Sequence, residues 1–126
     1  MVSELLFAAA RNDITGIRQL IAKGVPVHAG NFDSRTALHL AAAEGNLETV
    51  KLLINYKHPI NVRDRWKSTP LDEAKRENRI SVYNFLKKLD ILIENNISLD
   101  KKLKLEFEKE KLKDEKSINE LKEFTN

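Results

Sequence analysis

The fold is decided by residues 34–47, which read Ser-Arg-Thr-Ala-Leu-His-Leu-Ala-Ala-Ala-Glu-Gly-Asn-Leu. Thirty-three residues further along, residues 67–80 read Lys-Ser-Thr-Pro-Leu-Asp-Glu-Ala-Lys-Arg-Glu-Asn-Arg-Ile, with Thr, Leu and Ala in the same positions. The same distance back, Leu5, Ala8 and Ala9 occupy corresponding positions. Self-similarity at a fixed spacing indicates a repeat protein, so we expect a stack of about three similar units.

Each unit carries the local signals of a helical hairpin. Thr36 and Thr69 stand where a helix needs an N-cap, because a Thr hydroxyl can accept from an unpaired backbone N–H. Pro70 follows at the first helical position, where its missing N–H costs nothing. Gly45 breaks the helical pattern and can form the turn. The motif residues predicted to be structural are Thr36, Leu38, His39, Ala41, Ala42, Gly45, Thr69, Pro70, Leu71 and Ala74.

This spacing and motif resemble the ankyrin-repeat family over residues 3–89. The run from Thr36 to Ala42 with Gly45 is a strong match, whereas Asp72 stands in the third unit where the family has His. The sequence looks like the ankyrin segment of kidney-type glutaminases at residues 32–39, 64–66 and 69–74. Similar sequences occur in the ankyrin segments of some plant kinases and potassium channels. The resemblance implies that His39 hydrogen-bonds backbone in neighbouring loops and thereby joins adjacent repeats.

The expected fold class is an all-α ankyrin-repeat solenoid of about three helix-turn-helix units, followed by a long C-terminal helix. We place the repeat domain at residues 1–96, with units at about 3–32, 33–65 and 66–96. Residues 97–126 form a charged helix or tail rich in Lys, Glu and Leu. Its candidate docking residues are Leu99, Leu103, Phe107, Leu112, Ile118 and Leu121. They form no sustained heptad, so a solvated helix, a cap on the last repeat and a docking helix all stay open.

Composition and charge exclude several classes of function. The chain has 126 residues, of which 33% are charged, and this share exceeds the usual quarter and suggests an elongated surface or a solvated tail. There is no Cys, which excludes disulfides, thiolate metal sites and a Cys nucleophile. A net charge of +3 is poor evidence for nucleic-acid binding. No membrane-length apolar run or secretory signal is recognised, so we expect an intracellular, cytoplasmic protein, with an organelle or a cilium left open.

The polar residues form no recognisable catalytic or cofactor site. The four glycines are too scattered for a phosphate-binding loop, and no His pairs with another at the spacing of a zinc site. Asp72 and Glu73 are adjacent, so in a helix their carboxylates diverge and cannot work as an acid–base pair. We therefore predict no catalytic residue, no cofactor, no metal and no small-molecule substrate. Glutaminase activity is not carried over, because the resemblance concerns only an accessory segment.

The ankyrin resemblance implies a partner surface made of loop tips, called fingers, and first helices. The candidate partner-binding residues are Phe32, Asp33, Arg35, Glu44, Arg65, Trp66, Lys67, Lys75 and Arg76. Trp and Arg are enriched at interface hot spots, although Trp66 and Phe32 could instead pack within the stack. The basic residues of the third unit indicate either a solvated surface or an acidic protein partner.

The leading functional hypothesis is a non-enzymatic protein–protein interaction module that binds a partner through finger tips and concave face. Neither nucleic acid nor membrane is expected as a partner. The alternative is a constitutive subunit of a large assembly, cytoskeletal, axonemal or mitochondrial, in which the C-terminal helix docks on a neighbour. A third hypothesis is an accessory subunit of a glutaminase-like enzyme.

Overall fold

The computed structural model describes residues 2–94. Within them it has six α-helices and no strand: α1 (Val2–Ala10), α2 (Ile14–Ala22), α3 (Ala37–Glu44), α4 (Leu47–Asn55), α5 (Pro70–Arg76) and α6 (Ile80–Glu94). The predicted all-α class is confirmed. The predicted C-terminal helix, with its docking residues from Leu99 to Leu121, lies outside the described residues.

The helices recur with the period found in the sequence. The second helices of the three units begin at Ile14, Leu47 and Ile80, each 33 residues after the last. The first helices α1, α3 and α5 pack side by side in chain order, and α2 packs against α4. The chain divides into two compact bodies, residues 1–88 and 89–126, and the packing among α1 to α5 lies within the first.

Capping boxes fix where the first helices begin. The Thr36 hydroxyl accepts from the His39 N–H, and His39 Nδ1 accepts in return from the Thr36 N–H at 3.1 Å. Thr69 and Asp72 make the same reciprocal pair, with the Thr69 N–H donating to Asp72 Oδ2 at 3.0 Å. Asp72 can therefore replace the motif His as a cap.

His39 also forms a hydrogen bond with the loop that leads into the next unit. Because its Nδ1 accepts from a backbone N–H, its proton is on Nε2, which donates to the Ser68 carbonyl at 2.8 Å. The ring is fully buried, and burial lowers the pKa of His39 despite the hydrogen bond to Ser68. The neutral ring thus joins the second unit to the loop that precedes α5.

Side chains at the hairpin turns make a second set of links between units. Asn46 Nδ2 donates to the Ala9 and Ala10 carbonyls at the end of α1, at 2.9 and 3.0 Å. Thirty-three residues on, Arg79 Nε donates to the Ala43 carbonyl of α3 at 2.9 Å. Carbonyls in the last turn of a helix lack intrahelical partners, so each unit satisfies those of the unit before it.

All three units bury apolar side chains. Full burial of each large aliphatic side chain contributes about 1.5–3 kcal/mol. The buried apolar residues of the first body include Leu5, Ile17, Leu38, Val50, Leu53, Ile54, Val82 and Leu86. Leu71, in the last unit, is only half-buried.

One buried histidine lacks a complete set of partners. His58 is fully buried, and its Nδ1 bonds the Pro59 carbonyl at 2.8 Å, while Nε2 has no hydrogen-bond partner. Burial lowers the pKa of His58 to about 4, against the smaller opposing effect of the Pro59 hydrogen bond. Val25 occupies the corresponding, buried position of the first unit, so an apolar side chain suits this site.

We predict that His58 makes the fold sensitive to acid. Its pKa is lower in the folded chain than in the unfolded chain, so stability is lost as the pH falls from about 6.5 to about 4. His58→Val should remove about 2–3 kcal/mol of the loss between pH 7.5 and pH 4.5, at about 1.4 kcal/mol for each pKa unit. Urea unfolding at the two pH values measures this difference. His28→Val, at an exposed histidine, is the control, and parallel pH profiles for the parent and His58→Val would contradict the prediction.

Candidate partner-binding surface

The first finger, residues 31–35, is folded by the side chain of Asn31. Its Oδ1 accepts from the backbone N–H groups of Asp33 and Arg35, at 2.9 and 3.1 Å. Ser34 closes the turn in the left-handed region, with φ of 57°. An Asn side chain that mimics a backbone turn in this way is common in loops. The finger tip is therefore held in shape by local hydrogen bonds.

The second finger, residues 64–68, repeats this geometry with a carboxylate. Asp64 Oδ1 accepts from the N–H groups of Trp66 and Ser68, both at 2.9 Å. Lys67 takes the left-handed position, with φ of 64°. The two fingers are thus equivalent loops, 33 residues apart, whose conformation depends on one side-chain oxygen each.

The two fingers are tied together. The Arg65 N–H donates to the Asp33 carbonyl at 2.7 Å. The Arg65 guanidinium also lies 3.6 Å from an Asp33 carboxylate oxygen, but Arg65 is 71% exposed, so this ion pair contributes little. The backbone hydrogen bond fixes the position of one tip relative to the other.

Two aromatic side chains project from the tied tips. Phe32 is fully exposed and Trp66 is 63% exposed. Basic side chains flank Trp66, since Arg65 and Lys67 are exposed on the same loop. Exposed large apolar groups gathered among polar residues mark interaction sites. The finger-tip surface consists of Phe32, Asp33, Arg65, Trp66 and Lys67.

Arg35 lies beneath this surface and is used within the chain. Its side chain is 18% exposed, and its Nη1 donates to Asp64 Oδ2 at 3.0 Å and to Glu73 Oε1 at 3.1 Å. Glu73 also accepts from the Ser68 hydroxyl at 3.1 Å and from Arg76. From the sequence, Arg35 is a candidate partner-binding residue of the tip. In the structure, its charge belongs to a network of ion pairs that links the second unit to the third.

The network keeps a buried carboxylate charged. Glu73 is almost fully buried, and burial alone would raise its pKa. Hydrogen bonds from Arg35 and Arg76 outweigh burial and lower the pKa of Glu73 to about 2. The sequence offered no sign of this role, because the spacing of Arg35, Asp64 and Glu73 follows neither a helix nor a strand period.

The remaining candidates lie on the first helices. Glu44 is exposed at the end of α3, and Lys75 is exposed on α5. Arg76 is 59% exposed and pairs with Glu73 and Glu77. None of these three residues belongs to the two finger loops. Among residues 2–94, no cluster of His, Asp or Glu could hold a metal ion.

Loss of the Arg35 charge is predicted to destabilise the fold far more than loss of Arg65. Arg35→Ala would leave Asp64 without its cation and remove one from Glu73, which costs about 3–5 kcal/mol for a buried pair. Arg65→Ala should cost at most about 1 kcal/mol, because its ion pair is exposed. Urea unfolding of both variants gives the comparison. Equal losses of unfolding free energy in the two variants would show that the buried network stabilises the fold no more than the exposed ion pair does.

Asp64→Asn separates the charge of Asp64 from its role in the turn. The amide oxygen can still accept from Trp66 and Ser68, as Asn31 does in the first finger, while the charge opposite Arg35 is lost. The variant should be destabilised in urea unfolding but should keep the environment of Trp66, as reported by its fluorescence. A changed emission spectrum of the folded variant would mean that the charge itself shapes the finger.

Comparison with known proteins agrees with this architecture. A family model described as ankyrin repeats in three copies matches residues 5–101. The liver isoform of mitochondrial glutaminase from Rattus norvegicus is 43% identical over 86 residues, which are 68% of this chain and 14% of that protein. Serine/threonine-protein kinase 12 of Arabidopsis thaliana is 39% identical over 82 residues, which are 65% of this chain and 18% of the kinase.

A third relative again shares only a short region. Potassium channel KOR1 of Oryza sativa subsp. japonica is 42% identical over 74 residues, which are 59% of this chain and 9% of the channel. The chain therefore spans less than a fifth of the length of these relatives. The ankyrin repeats that the family model matches are a non-catalytic fold that mediates protein–protein interaction. The chain belongs to the ankyrin-repeat family.

Proposed function

We propose that this chain is a non-enzymatic interaction module that binds a protein partner through the finger-tip surface. The observation that carries the proposal is the exposure of Phe32 and Trp66 on two fingers that a backbone hydrogen bond ties together. Aromatic side chains bring a large apolar area into an interface, and Trp is among the residues most enriched at hot spots.

The finger-tip surface is organised before any partner arrives. The side chains of Asn31 and Asp64 fold each tip, and the bond from Arg65 to Asp33 aligns the two. Binding therefore costs little loop ordering, so a larger share of the contact energy appears as affinity. The network around Arg35 anchors the second finger to the core.

The charge of the tips favours an acidic partner. Arg63, Arg65 and Lys67 are exposed, and Asp33 is the one acidic member of the finger-tip surface. A partner segment with an apolar anchor and flanking carboxylates would match both the aromatic and the basic groups. Complementary charge raises association rates more than it raises affinity, so binding should weaken with added salt.

The buried histidines also support a non-enzymatic role. Both ring nitrogens of His39 are engaged, with Thr36 on one side and the Ser68 carbonyl on the other. His58 is fully buried. Neither is placed to exchange a proton with a substrate at the surface. The proposal therefore includes no catalytic residue and no small-molecule substrate.

The proposal keeps an intracellular location and expects neither membrane nor nucleic acid as a partner. Within residues 2–94, no helix is both long and apolar enough to cross a bilayer. The alternative of a constitutive subunit depends on residues 97–126 and stays a prediction. Deleting these residues would release the chain from such an assembly, whereas the finger-tip surface would be retained.

Replacing Arg65 and Trp66 together should strongly reduce partner capture without unfolding the chain. Partners are first identified by affinity purification of the intact chain. Arg65→Ala/Trp66→Ala should then reduce capture at least tenfold, because each removes an exposed hot-spot side chain, and the melting temperature should hardly change. Quantitative mass spectrometry measures the capture.

Phe7 and Arg11 provide a matched control at the other end of the stack. Phe7 is 60% exposed, and the Arg11 guanidinium lies 4.2 Å from the centre of its ring. Phe7→Ala/Arg11→Ala therefore removes the same two kinds of side chain from another surface and should leave capture intact. Unchanged capture by the tip variant, or equal loss in both variants, would contradict the proposal.

A further inference from the structure

The outer face of the third unit carries an open groove. The groove, here named the end groove, has a volume of about 260 Å³ and is lined by Ala74, Lys75, Asn78, Arg79, Ile80 and Tyr83. Ile80 is 64% exposed and Tyr83 is half-buried. All six residues belong to the first compact body of the chain, and none is part of the finger-tip surface.

In the first two units, the equivalent positions are covered. Ile17 and Val50, which correspond to Tyr83, are fully buried. Ile14 and Leu47, which correspond to Ile80, are half-buried. In the first two units, the repeat architecture packs apolar groups at these positions against further helices. In the end groove, the corresponding apolar groups are more exposed.

One polar group of the groove has a hydrogen-bonded counterpart in the first unit. Asn78 stands in the left-handed conformation, with φ of 59°, at the position of Asn12 in the first unit. Asn12 Oδ1 accepts from the Thr49 hydroxyl of the second unit at 2.6 Å. The amide of Asn78 is exposed and offers an acceptor of the same kind to whatever covers this face.

The charge of the groove selects among occupants. Its described lining holds two basic side chains, Lys75 and Arg79, and no acidic one. Arg79 donates from Nε to the Ala43 carbonyl at 2.9 Å, and the residue as a whole is exposed. A helix with aliphatic residues on one face and carboxylates beside them fits these groups.

A second copy of the chain fits poorly. Two end grooves face to face would bring Lys75 and Arg79 close to the same groups of the other copy. A head-to-tail stack would place the first unit on the groove, but that unit has Asp13 and Gly16 where Asn46 and Thr49 supply donors. The Asp13 carboxylate already accepts from the Gly16 N–H at 3.0 Å.

We propose that the end groove binds an amphipathic, acidic helix of a partner protein. The helix places aliphatic side chains against Ile80 and Tyr83, and carboxylates beside Lys75 and Arg79. A hydroxyl or amide donor of the helix reaches Asn78. This second site is independent of the finger-tip surface, so either assignment can fail without the other.

Photo-cross-linking of the intact chain tests the assignment. The photoreactive residue p-benzoylphenylalanine replaces Ile80, the labelled chain is irradiated in an extract of its source cells, and the adducts are sequenced by mass spectrometry. The proposal expects adducts with a segment of another protein whose apolar residues recur at helical spacing and whose flanks carry Asp or Glu. Adducts with this chain itself, with segments lacking that pattern, or with nothing, would overturn it.

Charge variants make the test specific. A synthetic peptide of the cross-linked segment should bind at least tenfold more weakly to Lys75→Glu than to the parent, as measured by fluorescence anisotropy. Lys75→Arg should keep the affinity. Lys87→Glu, which alters an exposed lysine outside the groove, is the control for net charge. Equal affinity for Lys75→Glu and Lys87→Glu would contradict the proposal, and Arg65→Ala/Trp66→Ala should bind the peptide as the parent does.

Discussion

The structure depends on the fact that a single helical hairpin cannot bury its own apolar face. Each unit must be covered by the next, so the helices recur at a fixed spacing and small residues such as Ala41 and Ala74 lie at the contacts between layers. The polar links obey the same constraint. Asn46 and Arg79 each satisfy carbonyls of the preceding unit, and His39 bonds the loop of the following one.

The same stacking places one repeated loop conformation at the proposed binding surface. Asp64 serves both purposes, because one carboxylate oxygen folds the second finger while the other pairs with Arg35 of the second unit. Trp66 is therefore held out in solvent by a residue that is itself buried. In this arrangement, the groups that stabilise the fold are different from the groups proposed to bind a partner. Most charges that hold the units together are covered, whereas the side chains of Phe32 and Arg65 at the tips are exposed and lie outside the core.

The first and third units differ at their hairpin turns. The first unit has Asp13 at the turn, where the carboxylate caps its own helix α2. The third unit has an exposed Ile80 and a half-buried Tyr83, whereas the residues at the positions of Tyr83 in the first two units are fully buried. The two proposed surfaces thus have different origins, since the finger tips project from the loops and the end groove lies along the helical hairpin of the third unit.

The sequence by itself determined the repeat, the helix starts and the fold class. Thr36 and Pro70 act locally, because a cap and a fixed backbone angle define where each helix begins. The recurrence after 33 residues can be read directly from the sequence. Tertiary structure alone decided that Arg35 turns inward and that Ile80 remains exposed. The reason is physical: the burial of a side chain depends on which groups of the neighbouring units lie against it, and those groups are some thirty residues away along the chain.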